Sequence, residues 1–146
     1  QIGCINLKPQ TRVQMLVIGG NANKASLSIR FKNKYTYTQI GTGAILSGVD
    51  NKLSVTGIYG AGVYHSLTDK LDLSADLGYY HIESLENKHH GYPARLYAIE
   101  PRISLEYSLT KKFGLFLAGG YGWTRTYKGN QAFDKKMVIE AGMVLF

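Results

Sequence analysis

Apolar and polar residues alternate along most of the chain from Val13 onward. The clearest stretch is residues 71–80, where most odd positions are apolar and most even positions are polar or small. The same pattern returns over residues 97–109. Since successive side chains of a β-strand point to opposite faces, a period of two predicts strands with one apolar face.

Clusters of glycine, asparagine, aspartate and lysine divide this pattern into eight segments. The predicted strands are residues 12–20, 25–32, 34–48, 52–67, 71–84, 95–109, 113–127 and 135–146. In all eight we assign the odd positions to the apolar face, because a strand that slips by one residue exchanges its two faces. The weakest segment is 34–48, where Gln39, Gly41 and Gly43 dilute that face and Ile40 lies on the other.

The connections between these strands alternate between short turns and longer loops. Turns are predicted at residues 31–34, 67–71 and 109–113, and loops at 20–24, 49–52, 85–95 and 128–134. Residues 66–73 and 108–115 look like one element used twice. This organisation favours an all-β, antiparallel up-and-down sheet.

Eight such strands fit two kinds of barrel, which differ in whether the apolar face points into the barrel or out of it. A soluble lipocalin-like barrel turns it inward around an apolar ligand, whereas a membrane barrel turns it outward into lipid. The aromatic residues of the odd face favour lipid, because they gather near both strand ends as two interfacial girdles. The predicted girdles are Phe31, Tyr35, Tyr37, Tyr107 and Phe113 at the short turns, and Tyr79, Tyr97, Tyr121 and Trp123 at the loops.

The even face carries charged residues among many small ones, which predicts a charge network inside the barrel. Its members are Arg30, Asp72, Asp76, Glu100, Arg102, Glu106 and Glu140. A barrel of eight strands is only wide enough for side chains to fill it. We therefore expect the network to close the lumen instead of lining a channel.

Several stretches together resemble the small eight-stranded bacterial outer-membrane β-barrels, in particular the outer membrane protein A and opacity type. They are residues 57–64, the Thr68-Asp69-Lys70-Leu71 turn, residues 116–123 and the terminal Phe146. The resemblance covers residues 12–146 and implies a transmembrane barrel in the outer membrane with both termini in the periplasm. It also implies that Phe146 is read by the barrel-insertion machinery. Phe146 has even parity, which leaves the register of the last residues open.

Length and composition fit this assignment as one domain. The 146 residues, 45% of them hydrophobic and 18% charged, exclude a disordered tail protein, and no apolar run is long enough for a membrane-spanning helix. Residues 12–146 are the predicted barrel, and residues 1–11 a flexible periplasmic segment. Gln1 fits the residue left after removal of a secretory leader. Lipidation of Cys4 is an open alternative to a lone thiol in this segment.

The net charge of +7 adds a prediction about partners. Basic residues collect at both ends of the predicted barrel, for example Lys32, Lys70 and Lys111 at the turns and Lys52 and Lys128 at the loops. Two basic rims beside an apolar belt are expected to meet anionic headgroups and lipopolysaccharide phosphates. The sequence has no recognition helix and no basic patch with stacking aromatics, so nucleic acid is not an expected partner.

Histidines give the only hints of catalysis. His65 and Ser66 are adjacent on a strand and therefore point to opposite faces. His81 and Glu83 share the odd face near a loop. Some members of the family that the chain resembles are lipid A hydrolases or acyltransferases, but their catalytic pattern is not recognisable here.

A transition-metal site in the longest predicted loop is a further alternative. Glu86, His89 and His90 supply suitable ligand types there, although a solvated polar loop is the preferred interpretation. With a single cysteine, neither an intrachain disulfide nor a thiolate cage can form. No cofactor or metal is expected.

We therefore expect a structural or interaction component of the bacterial outer membrane that is not an enzyme. Its expected partners are outer-membrane lipid, lipopolysaccharide, the insertion machinery and other subunits of a larger membrane complex. The alternatives are a lipid-modifying enzyme of the lipid A deacylase or acyltransferase type and a soluble lipocalin-like carrier.

Overall fold

The computed structural model describes residues 11–21, 24–45, 54–89, 92–126 and 134–146. They contain eight strands, β1 (Arg12–Gly20), β2 (Lys24–Lys32), β3 (Thr36–Ile45), β4 (Ser54–Ser66), β5 (Leu71–His89), β6 (Tyr92–Ser108), β7 (Phe113–Thr126) and β8 (Asp134–Leu145). Each strand pairs antiparallel with the next and β8 pairs with β1, so the sheet closes into a barrel. The predicted eight-stranded antiparallel barrel is confirmed. Residues 1–10, including Cys4, lie outside the described residues.

The apolar residues of this barrel face outward and the polar residues face inward. Leu73, Ile103 and Leu117 are 37%, 63% and 53% exposed, whereas Asp76 and Glu106 are 8% and 4% exposed. This is the reverse of the arrangement expected for a soluble carrier with an apolar interior. No helix in the described part of the chain is long and apolar enough to cross a membrane.

β3 departs from the predicted parity. Its odd residues Tyr37 and Gln39 are buried, and its even residue Ile40 is 50% exposed. The reason is the length of the preceding turn: Lys32 lies opposite Tyr37, so four residues separate two opposed positions. Opposed residues of an antiparallel pair share a face, and an even number of intervening residues therefore exchanges odd and even positions.

The parity returns to the predicted one at the next connection. Ile45 lies opposite Ser54, with eight residues between them. The turns from β4 to β5 and from β6 to β7 instead have five residues between opposed positions, so they preserve parity. The placement of Tyr37 in an outer girdle is consequently wrong, because this residue is 2% exposed inside the barrel.

The predicted loop at residues 85–95 is shorter in the structure. β5 continues to His89 and β6 begins at Tyr92, with a register shift between Glu83 and Lys88. Glu86 and His89 therefore belong to a strand, and His90 lies outside the described residues. No cluster of three or more potential metal ligands occurs within the described ranges.

The repeated sequence element forms two matching turns at one end of the barrel. Thr68 Oγ1 accepts hydrogen bonds from the backbone N–H groups of Lys70 and Leu71, at 3.2 and 3.1 Å. Thr110 Oγ1 accepts the equivalent bonds from Lys112 and Phe113, at the same distances. A threonine side chain that accepts hydrogen bonds from backbone N–H groups two and three residues ahead stabilises a tight turn, so the two copies of the element form the same local structure.

Candidate functional site

The inward-facing charged residues form two hydrogen-bonded clusters. The one nearer the short turns, here called the turn-end cluster, comprises Gln14, Arg30, Lys32, Gln39, Asp72 and Glu106. The second, here called the loop-end cluster, comprises Tyr37, Asp76, Tyr80, Arg102 and Glu140.

Glu106 organises the turn-end cluster. Its two carboxylate oxygens accept hydrogen bonds from Arg30 Nη1 at 3.1 Å, Lys32 Nζ at 3.3 Å and Gln14 Nε2 at 2.7 Å. Lys32 also bonds Asp72 at 2.5 Å. Lys32 is only 3% exposed, so its predicted place on an outer basic rim is wrong. Even positions of β2 point inward, so the even number of Lys32 already indicated that its side chain lies in the lumen.

Arg102 organises the loop-end cluster. Its Nε and Nη2 atoms bond Asp76 Oδ1 at 2.8 and 2.7 Å, and Nη1 bonds Glu140 Oε2 at 2.5 Å. The same Nη1 lies 2.8 Å from the Tyr80 hydroxyl. A guanidinium has five donors in a fixed planar fork, so it can join two carboxylates from different strands. Lysine could not reproduce this geometry.

Tyr37 connects the two clusters. Its hydroxyl donates to Asp76 Oδ2 at 2.6 Å, and the Arg30 guanidinium lies 4.2 Å from the centre of its ring. The phenol thus bonds one cluster while its ring contacts a cation of the other. Glu100 on β6, the remaining predicted member of the network, is 4% exposed. Its side chain lies next to Gly122 of β7, where an added Cβ would be 3.4 Å from the Glu100 Cγ.

Apolar side chains complete the interior. One inward group consists of Ile58, Tyr80, Ile82 and Ala98, and another consists of Leu16, Ile18, Phe116, Ala118 and Val144. The parity predicted from the sequence places these even positions inside, although the predicted network contained only charged residues. Together with the ion pairs they form a lumen filled by side chains, as expected for a barrel of eight strands.

The outward-facing aromatic residues occur near both ends of the barrel. Phe31, Tyr35 and Tyr107 are 41%, 60% and 43% exposed toward the short turns, and Phe113 is partly exposed there. Toward the loops, Tyr79 and Tyr121 are 38% and 51% exposed, while Tyr97 and Trp123 are partly exposed. Tyr59, Tyr79 and Tyr97 form a row on adjacent strands with ring centres 6.3 Å apart.

A histidine and a glutamate lie beside this aromatic row. His81 Nε2 is 3.0 Å from Glu83 Oε1, and the His81 ring centre is 5.0 Å from that of Tyr97. A cavity of about 260 Å³ lies next to the pair, and Gly57, which lies opposite His81, is among the residues that border it. His65 lies opposite Leu73 at the other end of the same strand pair, so it is no partner for Glu83.

The architecture is shared with known transmembrane barrels. The N-terminal β-barrel domain of Pseudomonas aeruginosa OprF is 14% identical, with a TM-score of 0.59, and the alignment covers 93% of this chain and 98% of that one. A designed transmembrane β-barrel is also 14% identical, with a TM-score of 0.56, covering 94% and 96% of the two chains. No protein-family model and no curated protein sequence matches the chain. The chain therefore has the fold of the small transmembrane β-barrels.

Proposed function

We propose that this protein is a structural or interaction component of the bacterial outer membrane, of the outer membrane protein A and opacity type. The observation that carries the proposal is that the apolar side chains face outward and the ion pairs lie inside, which is the opposite of a soluble protein. In water such a belt would be an aggregation surface, whereas in a bilayer it contacts acyl chains. Closure of the sheet satisfies the backbone polar groups that lipid cannot bond.

The filled interior favours a role without transport. Arg30, Arg102 and Glu106 are each at most 4% exposed. Arg30 pairs with Glu106, and Arg102 pairs with Asp76 and Glu140. Opening a channel would require these buried ion pairs to break, and each broken pair would cost about 3–5 kcal/mol.

The proposed orientation places the short turns and both ends of the described chain in the periplasm. β1 begins and β8 ends on the same side of the barrel because the number of strands is even. Phe146, whose N–H donates to the Lys112 carbonyl at 3.0 Å on that side, is the residue we propose the insertion machinery reads. The aromatic rows at both ends are the proposed girdles, next to lipid headgroups and lipopolysaccharide.

Contact with other subunits of a membrane complex is part of the same proposal. The outer wall of β1, β2 and β8 includes the small residues Gly19, Ala25 and Ala141 next to one another in register. Small side chains permit close approach of another protein surface. Co-purification from native membranes is the direct measurement of such a contact.

A pair of matched substitutions tests the membrane assignment. Leu117 on β7 and Leu67 in a turn are 53% and 51% exposed, so a soluble protein should tolerate lysine equally at both. In a bilayer Leu117→Lys should destabilise the folded barrel by about 2–4 kcal/mol, because lysine near the midplane must leave water. Leu67→Lys should change the free energy of unfolding by less than about 1 kcal/mol.

The measurement is chemical unfolding of the full chain in phospholipid vesicles, with electrophoresis of boiled and unboiled samples as the assay of folding. The wild type should migrate differently before and after boiling. Equal effects of the two lysines, or a detergent-free monomer that is fully soluble, would contradict the proposal.

A lipid-modifying enzyme is the second candidate, favoured by the contact between His81 and Glu83 beside a cavity on the lipid-facing wall. A carboxylate can orient a histidine that acts as a general base. If this candidate is correct, His81→Ala abolishes hydrolysis or acyl transfer on lipid A or phospholipid, while His65→Ala retains it. The structural proposal predicts no such turnover in the wild type, measured by mass spectrometry of the lipid products.

A further inference from the structure

A cavity of about 710 Å³ opens at the short-turn end of the barrel. It is bounded by the start of β1, the two matching turns and Phe146. Its volume falls within the range of about 300–1,000 Å³ that is typical of ligand sites. None of the residues that border it belongs to either lumen cluster or to the His81–Glu83 pair.

Backbone hydrogen bonds hold the boundaries of the cavity in place. The Ser108 N–H donates to the Lys70 carbonyl at 2.7 Å, which joins the end of β6 to the first turn. The Phe146 N–H donates to the Lys112 carbonyl at 3.0 Å, which joins the end of the barrel to the second turn. The backbone around the cavity is therefore held in place before a ligand binds, which lowers the entropic cost of binding.

Cationic side chains outnumber anionic ones around the cavity. Arg12, Lys70 and Lys111 border the cavity together with one carboxylate side chain, that of Asp69. Arg12 also acts electrostatically on Asp72 of the turn-end cluster. Lys32 in the lumen is paired with Asp72 and Glu106, whereas neither Lys70 nor Lys111 has a carboxylate within 4.0 Å in the described part of the chain. Their charges are consequently available to an anion from outside.

Apolar and hydroxyl groups lie next to these cations. Val13, Leu109 and Phe146 are 57%, 46% and 41% exposed and border the same cavity. The Thr110 hydroxyl oxygen accepts two backbone hydrogen bonds, so its own proton can be donated to a further acceptor. The combination fits a ligand with a carboxylate next to an apolar side chain.

We propose that this cavity binds an acidic peptide segment that carries an apolar side chain beside its carboxylates. Most of the residues around the cavity belong to turns or strand ends and not to the lipid-facing belt, so the ligand reaches it from the aqueous phase. Charge complementarity with Lys70 and Lys111 provides the attraction, and Leu109 and Phe146 contact the apolar side chain. The proposal does not depend on which compartment faces this end.

The test uses the full chain folded in zwitterionic detergent and the synthetic peptide acetyl-Asp-Phe-Glu-Leu-Glu-amide, titrated by calorimetry. The matched peptide has lysine at each acidic position. We expect saturable binding of the acidic peptide only, weakening as salt is raised because exposed charges are screened. The double variant Lys70→Gln/Lys111→Gln should weaken binding about tenfold, since each exposed ion pair contributes modestly.

Lys112→Gln is the matched control, because this lysine lies in the same turn and its side chain does not border the cavity. It should bind the acidic peptide like the wild type. Leu109→Ser should also weaken binding while the heat-dependent change in electrophoretic mobility stays intact, which separates loss of the site from loss of the fold.

Three outcomes would overturn the proposal. One is equal binding of the acidic and lysine peptides, and another is equal weakening by Lys70→Gln/Lys111→Gln and Lys112→Gln. The third is binding of phosphatidylglycerol vesicles through Lys70 and Lys111 without any binding of the peptide, which would identify an anionic lipid as the ligand.

Discussion

The hydroxyl of Tyr37 donates a hydrogen bond of 2.6 Å to Asp76, deep inside the barrel. The guanidinium of Arg30 lies over the ring of the same tyrosine, 4.2 Å from the ring centre. A residue that its sequence position assigned to the lipid interface thus connects the two charge clusters of the lumen. The stability of the barrel should depend on it accordingly.

Tyr37→Phe is expected to lower the free energy of unfolding in vesicles by about 1–3 kcal/mol. The substitution keeps the ring under Arg30 but leaves a buried oxygen of Asp76 without its donor. Tyr35→Phe is the control, since Tyr35 is 60% exposed before β3 begins. Equal stability of the two variants would show that the Tyr37 hydroxyl contributes nothing.

Arg102→Met should be more damaging, with a loss of about 3–5 kcal/mol at neutral pH. It removes the guanidinium that Asp76 and Glu140 share, so two buried carboxylates each lose an ion pair. The deficit relative to the wild type should shrink as the pH falls, because a protonated carboxyl carries no charge to bury.

The triple variant Arg102→Met/Asp76→Asn/Glu140→Gln checks this explanation of the Arg102 effect. It should recover part of the lost stability at neutral pH and show a weaker pH dependence than Arg102→Met. Denaturant unfolding across a pH series measures both effects. A deficit independent of pH would point to lost packing instead of buried charge.

The exchanged parity of β3 can be measured with spin labels. In a Cys4→Ser background, a label at Ile40→Cys should be accessible to oxygen dissolved in lipid, and a label at Gln39→Cys should not, because Ile40 is 50% and Gln39 5% exposed. Reversed accessibilities in electron paramagnetic resonance would mean that the turn between Lys32 and Tyr37 has the opposite register.

Two adjacent glycines should respond differently to substitution. A Cβ at Gly120 would collide with the Pro101 carbonyl oxygen and approach the Arg102 Cα at 2.9 Å, whereas at Gly119 its nearest neighbour is the Val138 carbonyl oxygen at 3.9 Å. Gly120→Ala is expected to cost about 1–3 kcal/mol through forced displacement of the β6 backbone.

Gly119→Ala provides the matched control and should change the free energy of unfolding by less than about 1 kcal/mol. Thermal unfolding followed by electrophoretic mobility compares the two variants directly. If Gly120→Ala were as stable as the wild type, β6 and β7 would be able to separate at this point without loss of the Arg102 contacts.

The alternation of side chains was sufficient to predict the strands and the closed barrel. In residues 71–80, for example, the apolar and polar positions differ enough that only one register buries the charges, so local sequence and global fold agree. The interior positions of Arg30, Arg102 and Glu106 follow from the same alternation.

The partners of these charges required the three-dimensional arrangement. Which carboxylate meets Arg102 depends on the register of β5, β6 and β8 around the barrel, and these strands are far apart in sequence. Lys32, Gln14 and Tyr80 were missed as cluster members because their side-chain types also suit a surface, and only their neighbours across the lumen identify them.

β3 shows most clearly which features follow from the sequence and which require the tertiary structure. Periodicity defines two faces for every strand, but it relates one strand to the next only through the number of residues between opposed positions. Four residues separate Lys32 from Tyr37, which turns the odd positions inward. Sequence alternation thus specifies the existence of the faces, and strand pairing in the closed barrel decides which one meets lipid, because opposed residues must share a side of the sheet.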